Sequence, residues 1–105
     1  MGREVTVYIA GPITGVDNYR ERFKVYESRL HRKGCRVLNP AILPQGRTNA
    51  EYMRVCLGLI DCADIVLFTD GWEKSAGARC EFKYCQYIGK RYAFKIEEIE
   101  EVTNL

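Results

Sequence analysis

Four short apolar runs rich in β-branched or aromatic residues, at residues 4–10, 35–38, 64–68 and 91–94, alternate with three longer stretches. In those stretches apolar residues recur every three to four positions. The first pattern suits buried strands and the second amphipathic helices. A β-α-β-α-β-α-β order leaves few arrangements, because parallel neighbours need a long crossover and such crossovers are right-handed. The alternation therefore predicts a single α/β domain over residues 1–105. Its form is a flavodoxin- or Rossmann-like three-layer sandwich around a four-stranded, or five-stranded, parallel sheet in order 2-1-3-4. Punctuation agrees with this division: Gly34 ends the first helix, Asn39-Pro40 closes strand 2, Asp70-Gly71 breaks strand 3, and Gly89-Lys90 turns into strand 4. Asn18 with Glu21, and Thr48 with Glu51, have the spacing of capping boxes. Helical periodicity puts Phe23, Tyr26 and Leu30 on one stripe, Tyr52, Cys56, Leu59 and Ile60 on another, and Ala78, Phe82, Cys85 and Ile88 on a third. Residues 96–102 form a short acidic segment expected to be helical.

Ligands of open parallel sheets bind at the carboxyl ends of the strands. The connections expected there, residues 11–18, 39–48 and 69–75, are all rich in Gly, Pro, Asn, Asp, Ser or Thr. Ser75 suits the N-cap of the third helix, and Ala76 and Gly77 leave the first amides of that helix uncovered, as an anion or a hydroxyl-rich ligand would require. Glu81 falls inside the apolar stripe of this helix. A carboxylate there is costly unless it is paired or used. It is read either as a functional group or as an ion paired with Arg79, Lys83 or Tyr8. Gly11, Pro12 and Ile13 occupy the first loop. Asn39 faces the same end, although its place before Pro40 also fits simple turn chemistry. Asp70 is a turn residue or a ligand-binder, and Trp72 either stacks on a base or plugs the sheet end. Asp64 is expected to bond local backbone at the start of its strand, and Cys56 to sit in the core.

Several function classes are disfavoured. The formal net charge is +2 with no basic run, which argues against a nucleic-acid polymer as partner. No apolar run approaches the roughly 20 residues that span a bilayer, and no membrane partner is expected. Residues 1–4 lead into a strand without the features of a signal peptide, so a cytoplasmic location is expected. The five cysteines, at positions 35, 56, 62, 80 and 85, are odd in number and lack Cys-x-x-Cys spacing. They are expected to be reduced core thiols, with no metal and no cofactor. His31 sits at a helix C-terminus, where a cation is favoured, and is given no chemistry.

Three motifs, Tyr8-Ile9-Ala10-Gly11-Pro12-Ile13, Cys62-Ala63-Asp64-Ile65-Val66 and Gly77-Ala78-Arg79-Cys80-Glu81, resemble those of the nucleoside 2-deoxyribosyltransferase superfamily. The chain is most similar to its small phage and bacterial branch, with the pattern Gly-Trp-Glu-x-Ser-x-Gly-Ala-x-x-Glu ending at Glu81. The resemblance covers roughly residues 5–94. It implies a nucleoside or nucleotide substrate and a glutamate nucleophile on the sugar C1′, which displaces the base and leaves a glycosyl-enzyme for a second base or water to resolve. Glu81 matches that nucleophile, Tyr8 the tyrosine that holds it, and Gly11 and Pro12 the loop beside the sugar. Transferases of the superfamily carry an aspartate six residues before the nucleophile. Ser75 stands there, as in the superfamily's nucleotide 5′-monophosphate glycosidases, where serine helps bind phosphate. Cys56 stands where the superfamily has a second acid, and a thiol replaces a carboxylic acid at neutral pH only in a specially tuned site. Two functions follow as expectations: cleavage or exchange of the N-glycosidic bond of a (deoxy)nucleoside 5′-monophosphate, or a catalytically inactive nucleotide-binding or interaction module. Superfamily members complete their sites across subunits. Together with apolar groups on more than one side of the second helix (Met53, Val55, Leu57, Leu59), this predicts a homodimer or larger assembly.

Overall fold

Strand β1, Thr6–Ala10, is the axis of the molecule, with Val7, Tyr8, Ile9 and Ala10 all buried. The computed structural model describes residues 4–99. Along the chain follow α1 (Tyr19–Arg32), β2 (Arg36–Leu38), α2 (Asn49–Cys62), β3 (Ile65–Phe68), α3 (Ala76–Ile88) and β4 (Arg91–Ala93), with short 3-10 turns at Pro40–Ile42, Trp72–Lys74 and Ile96–Glu98. All strand pairs are parallel, in order β2-β1-β3-β4. The α/β flavodoxin-like architecture and the strand order are therefore as the alternation predicts, with four strands among the described residues. Residues 100–102 of the acidic segment lie outside the described residues; within them the segment forms only the 3-10 turn.

Side-chain alternation on the strands sorts the interior into two cores. Val7, Ile9, Ile65, Leu67 and Ala93 pack with Phe23 and Leu30 of α1 on one face. Tyr8, Ala10, Val66 and Phe68 pack with Cys56 and Ile60 of α2 and Cys85 of α3 on the other. Each fully buried large aliphatic or aromatic side chain contributes about 1.5–3 kcal/mol relative to exposure, so the two central strands carry most of the hydrophobic stabilisation.

Local chemistry decides the boundaries. The Thr48–Glu51 capping box forms as expected: Glu51 N donates to Thr48 Oγ1 at 3.1 Å and Thr48 N donates to Glu51 Oε1 at 2.8 Å. The Asn18–Glu21 box does not form. Asn18 has φ −104° and ψ 31°, outside the extended region from which an N-cap side chain reaches back, and makes no side-chain cap bond. Asp64 bonds a neighbouring strand: Thr6 N donates to its Oδ2 at 2.8 Å, which ties the start of β3 to β1. Strand β4 stops before Phe94 because the Phe94 amide donates to Glu98 Oε1 at 2.8 Å instead of to the ladder. Ile88 departs from the predicted stripe; as the last residue before the left-handed Gly89 (φ 74°) it is 42% exposed. All five cysteines are free, and Cys62 and Cys80 are exposed rather than in the core. Among the described residues no helix is long and apolar enough to cross a membrane.

Candidate active site

Tyr8 lies on the central strand, and its side chain points to the α2–α3 face by alternation. Helix α3 follows β3, the neighbour of β1, and so brings its sheet-facing stripe over Tyr8. Glu81 lies on that stripe and is only 6% exposed, while Tyr8 is 1% exposed. Tyr8 Oη donates to Glu81 Oε2 at 2.8 Å. Of the partners considered for the carboxylate, the structure selects Tyr8.

The electrostatics follow from this burial. Desolvation raises the Glu81 carboxyl to about 7, and hydrogen bonds from Tyr8 and Cys56 partly offset that rise. Tyr8 is pushed well above the ordinary phenol value, first by burial and then by the charge of Glu81. Cys56 is raised chiefly by burial, and Cys85 is raised to about 11 by burial and then by Glu81. Near neutral pH the phenol and both thiols stay protonated, and Glu81 is the group that titrates.

The pair opens onto a cavity of about 680 Å³ at the carboxyl ends of the strands, in the range of small-molecule sites. The loop after β1 contributes Gly11, Pro12, Ile13 and Thr14. Helix α2 contributes Asn49, Tyr52, Met53 and Cys56, the 3-10 turn before α3 contributes Lys74, and the N-cap and first turn of α3 contribute Ser75, Ala76 and Gly77. Tyr19, Pro40, Leu43, Gln45, Ala78 and Cys80 complete the wall. Ser75 Oγ accepts from Ala78 N at 3.2 Å, which caps α3 and leaves the hydroxyl proton for another acceptor. The amides of Ala76 and Gly77 belong to the first helical turn and have no intrahelical partner. Gly11 is required by a close approach: a Cβ there would lie 2.0 Å from Thr69 Oγ1 and 3.3 Å from Thr69 Cβ. Only glycine lets the loop after β1 cross the end of β3. At Gly77 a Cβ would make only ordinary contacts, the nearest atoms being Met53 Cε and Ser75 Oγ at 3.9 Å, so packing does not require a glycine there.

Seven of the sequence candidates thus share one cavity: Tyr8, Gly11, Pro12, Ile13, Ser75, Gly77 and Glu81. Asn39, Asp70 and Trp72 lie outside its wall. Asn39 is occupied by local structure, with Nδ2 donating to Glu27 Oε1 at 2.9 Å and Oδ1 accepting from Ala41 N at 2.9 Å. Asp70 is exposed in the turn after β3. Trp72 packs on Phe82 (ring centroids 4.9 Å), Phe68 (5.2 Å) and Phe94 (5.6 Å), so it plugs the sheet edge. Cys56, read as a core residue, also reaches the cavity although it is only 7% exposed. Tyr19, Tyr52, Met53 and Lys74 were not among the sequence candidates. A signal for two of them existed. The helix before a parallel strand begins at the carboxyl end of the sheet, so residues a turn before Cys56 must lie over the site.

Residues 5–94 match a family described as a domain of unknown function (DUF4406), and the chain belongs to that family. No curated protein matches the chain.

Proposed function

We propose that this DUF4406 domain binds a nucleoside or nucleotide and cleaves or exchanges its N-glycosidic bond, with Glu81 as nucleophile. The observation that carries this is the buried Glu81 carboxylate, held by Tyr8 Oη at 2.8 Å on the floor of a ligand-sized cavity. The motif resemblance to the nucleoside 2-deoxyribosyltransferase superfamily supports it, and membership of that superfamily is part of the proposal. An ionised Glu81 attacks C1′, the C1′–N bond breaks, and the resulting ester is resolved by water or by a second base. Tyr8 holds the carboxylate and stabilises its charge. The Ser75 hydroxyl, the first amides of α3 and Lys74 offer a seat for a 5′-phosphate, and the residue 11–13 loop borders the sugar.

Incubation with a panel of nucleoside 5′-monophosphates, followed by chromatography for free base, tests this directly. Release of base above the Glu81→Gln background is expected. Binding without any release would support the second reading, a non-catalytic nucleotide-binding or interaction module. That reading is favoured by Cys56, a thiol raised by burial at the wall where an acid would assist the leaving base.

We further propose a cytoplasmic homodimer or larger assembly. Val55 is 46% exposed on α2, and Leu57 and Leu59 on the same helix are only partly covered. Light scattering at high micromolar concentration should give at least twice the 12.1 kDa chain mass, and a monomeric value rejects the assembly.

A further inference from the structure

We infer that the nucleotides this site turns over carry a positively charged base, quaternised at a ring nitrogen, so that the base departs neutral and needs no proton. The inference rests on the glycosidase function proposed above and specifies its substrate class. The observation behind it is the composition of the cavity wall. Among the described residues lining it, Glu81 is the only carboxyl group, and no histidine is present. The chain's single histidine, His31, is in the last turn of α1.

Loss of a neutral base places an electron pair on the departing nitrogen, and that nitrogen must take a proton from a group of suitable acidity. Glu81 cannot supply it while acting as nucleophile. Tyr8 and Cys56 stand beside Glu81, and burial holds both above their ordinary, already weakly acidic values. Lys74 lies next to Ser75 at the start of α3, the end suited to phosphate. Among the described residues at the wall no second carboxyl group and no imidazole remains to act as general acid, the further proton donors being the Cys80 thiol and the Tyr19 and Tyr52 hydroxyls.

With a cationic base the balance closes without one. Glu81 Oε forms a bond to C1′, the C1′–N bond breaks, and its electron pair neutralises the positive ring. The base leaves unprotonated. Water then attacks C1′ of the glycosyl ester, the Glu81 oxygen departs as carboxylate, and one proton passes to solvent. The overall change is cationic glycoside plus water to sugar, neutral base and a proton.

The wall also suits a flat cation. Its charge is attracted to the Glu81 carboxylate in a site that excludes much of the solvent. Tyr52 presents an aromatic ring, fixed in place by its hydroxyl donating to Pro44 O at 2.5 Å. Tyr8 and Tyr19 are the other rings at the wall, and Arg20 already lies 5.7 Å from the Tyr19 centroid. Lys74 is the only cationic side chain lining the cavity among the described residues, so nothing else at the wall repels a charged base.

The test compares 7-methylguanosine 5′-monophosphate with guanosine 5′-monophosphate, which differ by the quaternising methyl group. Nicotinamide mononucleotide and cytidine 5′-monophosphate form a second pair. Base release is followed chromatographically, with the rate in Glu81→Gln subtracted as background. The expected result is kcat/KM at least about a hundredfold higher for each cationic substrate than for its neutral partner. Neutral substrates cleaved within tenfold of the cationic ones, or faster, overturn this inference and leave the glycosidase function standing. Absence of release above the Glu81→Gln background from all four overturns the glycosidase function, and this inference with it.

Discussion

Glu81→Gln is expected to lower base release by at least about a thousandfold, because the amide keeps the shape of the side chain and loses the nucleophile. Nucleotide affinity should change little. The same variant should alter stability in a pH-dependent way. In the folded state the Glu81 carboxyl rises from 4.5 to about 7. A carboxyl raised on folding favours the folded state below its unfolded value, where it is neutral in both states. That advantage is lost as pH climbs through the folded value, since the unfolded chain ionises more readily. At about 1.36 kcal/mol per unit, the wild type should lose on the order of 3 kcal/mol of stability between pH 4 and pH 8 from this group alone. Glu81→Gln should lack that loss, so urea midpoints of the two proteins should approach each other at acid pH and separate at pH 8 with the variant higher. A variant that is less stable at both pH values, with turnover unchanged, would mark the carboxylate as structural.

Tyr8→Phe is expected to act through Glu81 rather than on substrate directly. The phenol hydrogen bond pulls the carboxyl down against the effect of burial, so its removal should raise Glu81 further. The activity limb that rises with ionisation of Glu81, near pH 7 in the wild type, should move to higher pH. Activity at pH 7 should fall by roughly tenfold or more, with partial recovery at pH 8.5. An ionised carboxylate buried without its donor also costs about 1–3 kcal/mol, so destabilisation should be larger at pH 8 than at pH 5. Parallel pH–rate profiles, displaced only in height, would show that Tyr8 does not set the ionisation of Glu81.

The fold was legible because strands and helices alternate with different periods and because Gly34, Pro40, Gly71 and Gly89 punctuate them. The α3 boundaries follow from Ser75 and Gly89, whose conformations permit nothing longer. Asn18 misled because a capping residue is defined by its backbone angles as well as its side chain, and the turn before α1 holds it outside the extended region. The pairing of Tyr8 with Glu81 was legible from strand adjacency and helical phase. Tyr52 and Met53 were legible from their place a turn before Cys56 on the helix that precedes β3. Tyr19 and Lys74 were not, because they reach the cavity where a helix start and a loop overhang the strand ends, an arrangement that depends on loop paths rather than on periodicity. Trp72 has the chemistry of a base-stacking residue, but its 3-10 turn directs it towards Phe68, Phe82 and Phe94 at the open side of the sheet.

The cavity is assembled from two kinds of material, and this has an evolutionary consequence. Tyr8 and Glu81 belong to the innermost strand and a long helix, and neither can move without disturbing the core. Leu43 and Gln45 belong to the connection between β2 and α2, whose only regular structure is one short 3-10 turn. Exchange of residues 43–47 between related chains would leave the carboxylate and its phenol in register. Under the proposed function, ligand preference changes through this loop while the Glu81–Tyr8 pair stays in place.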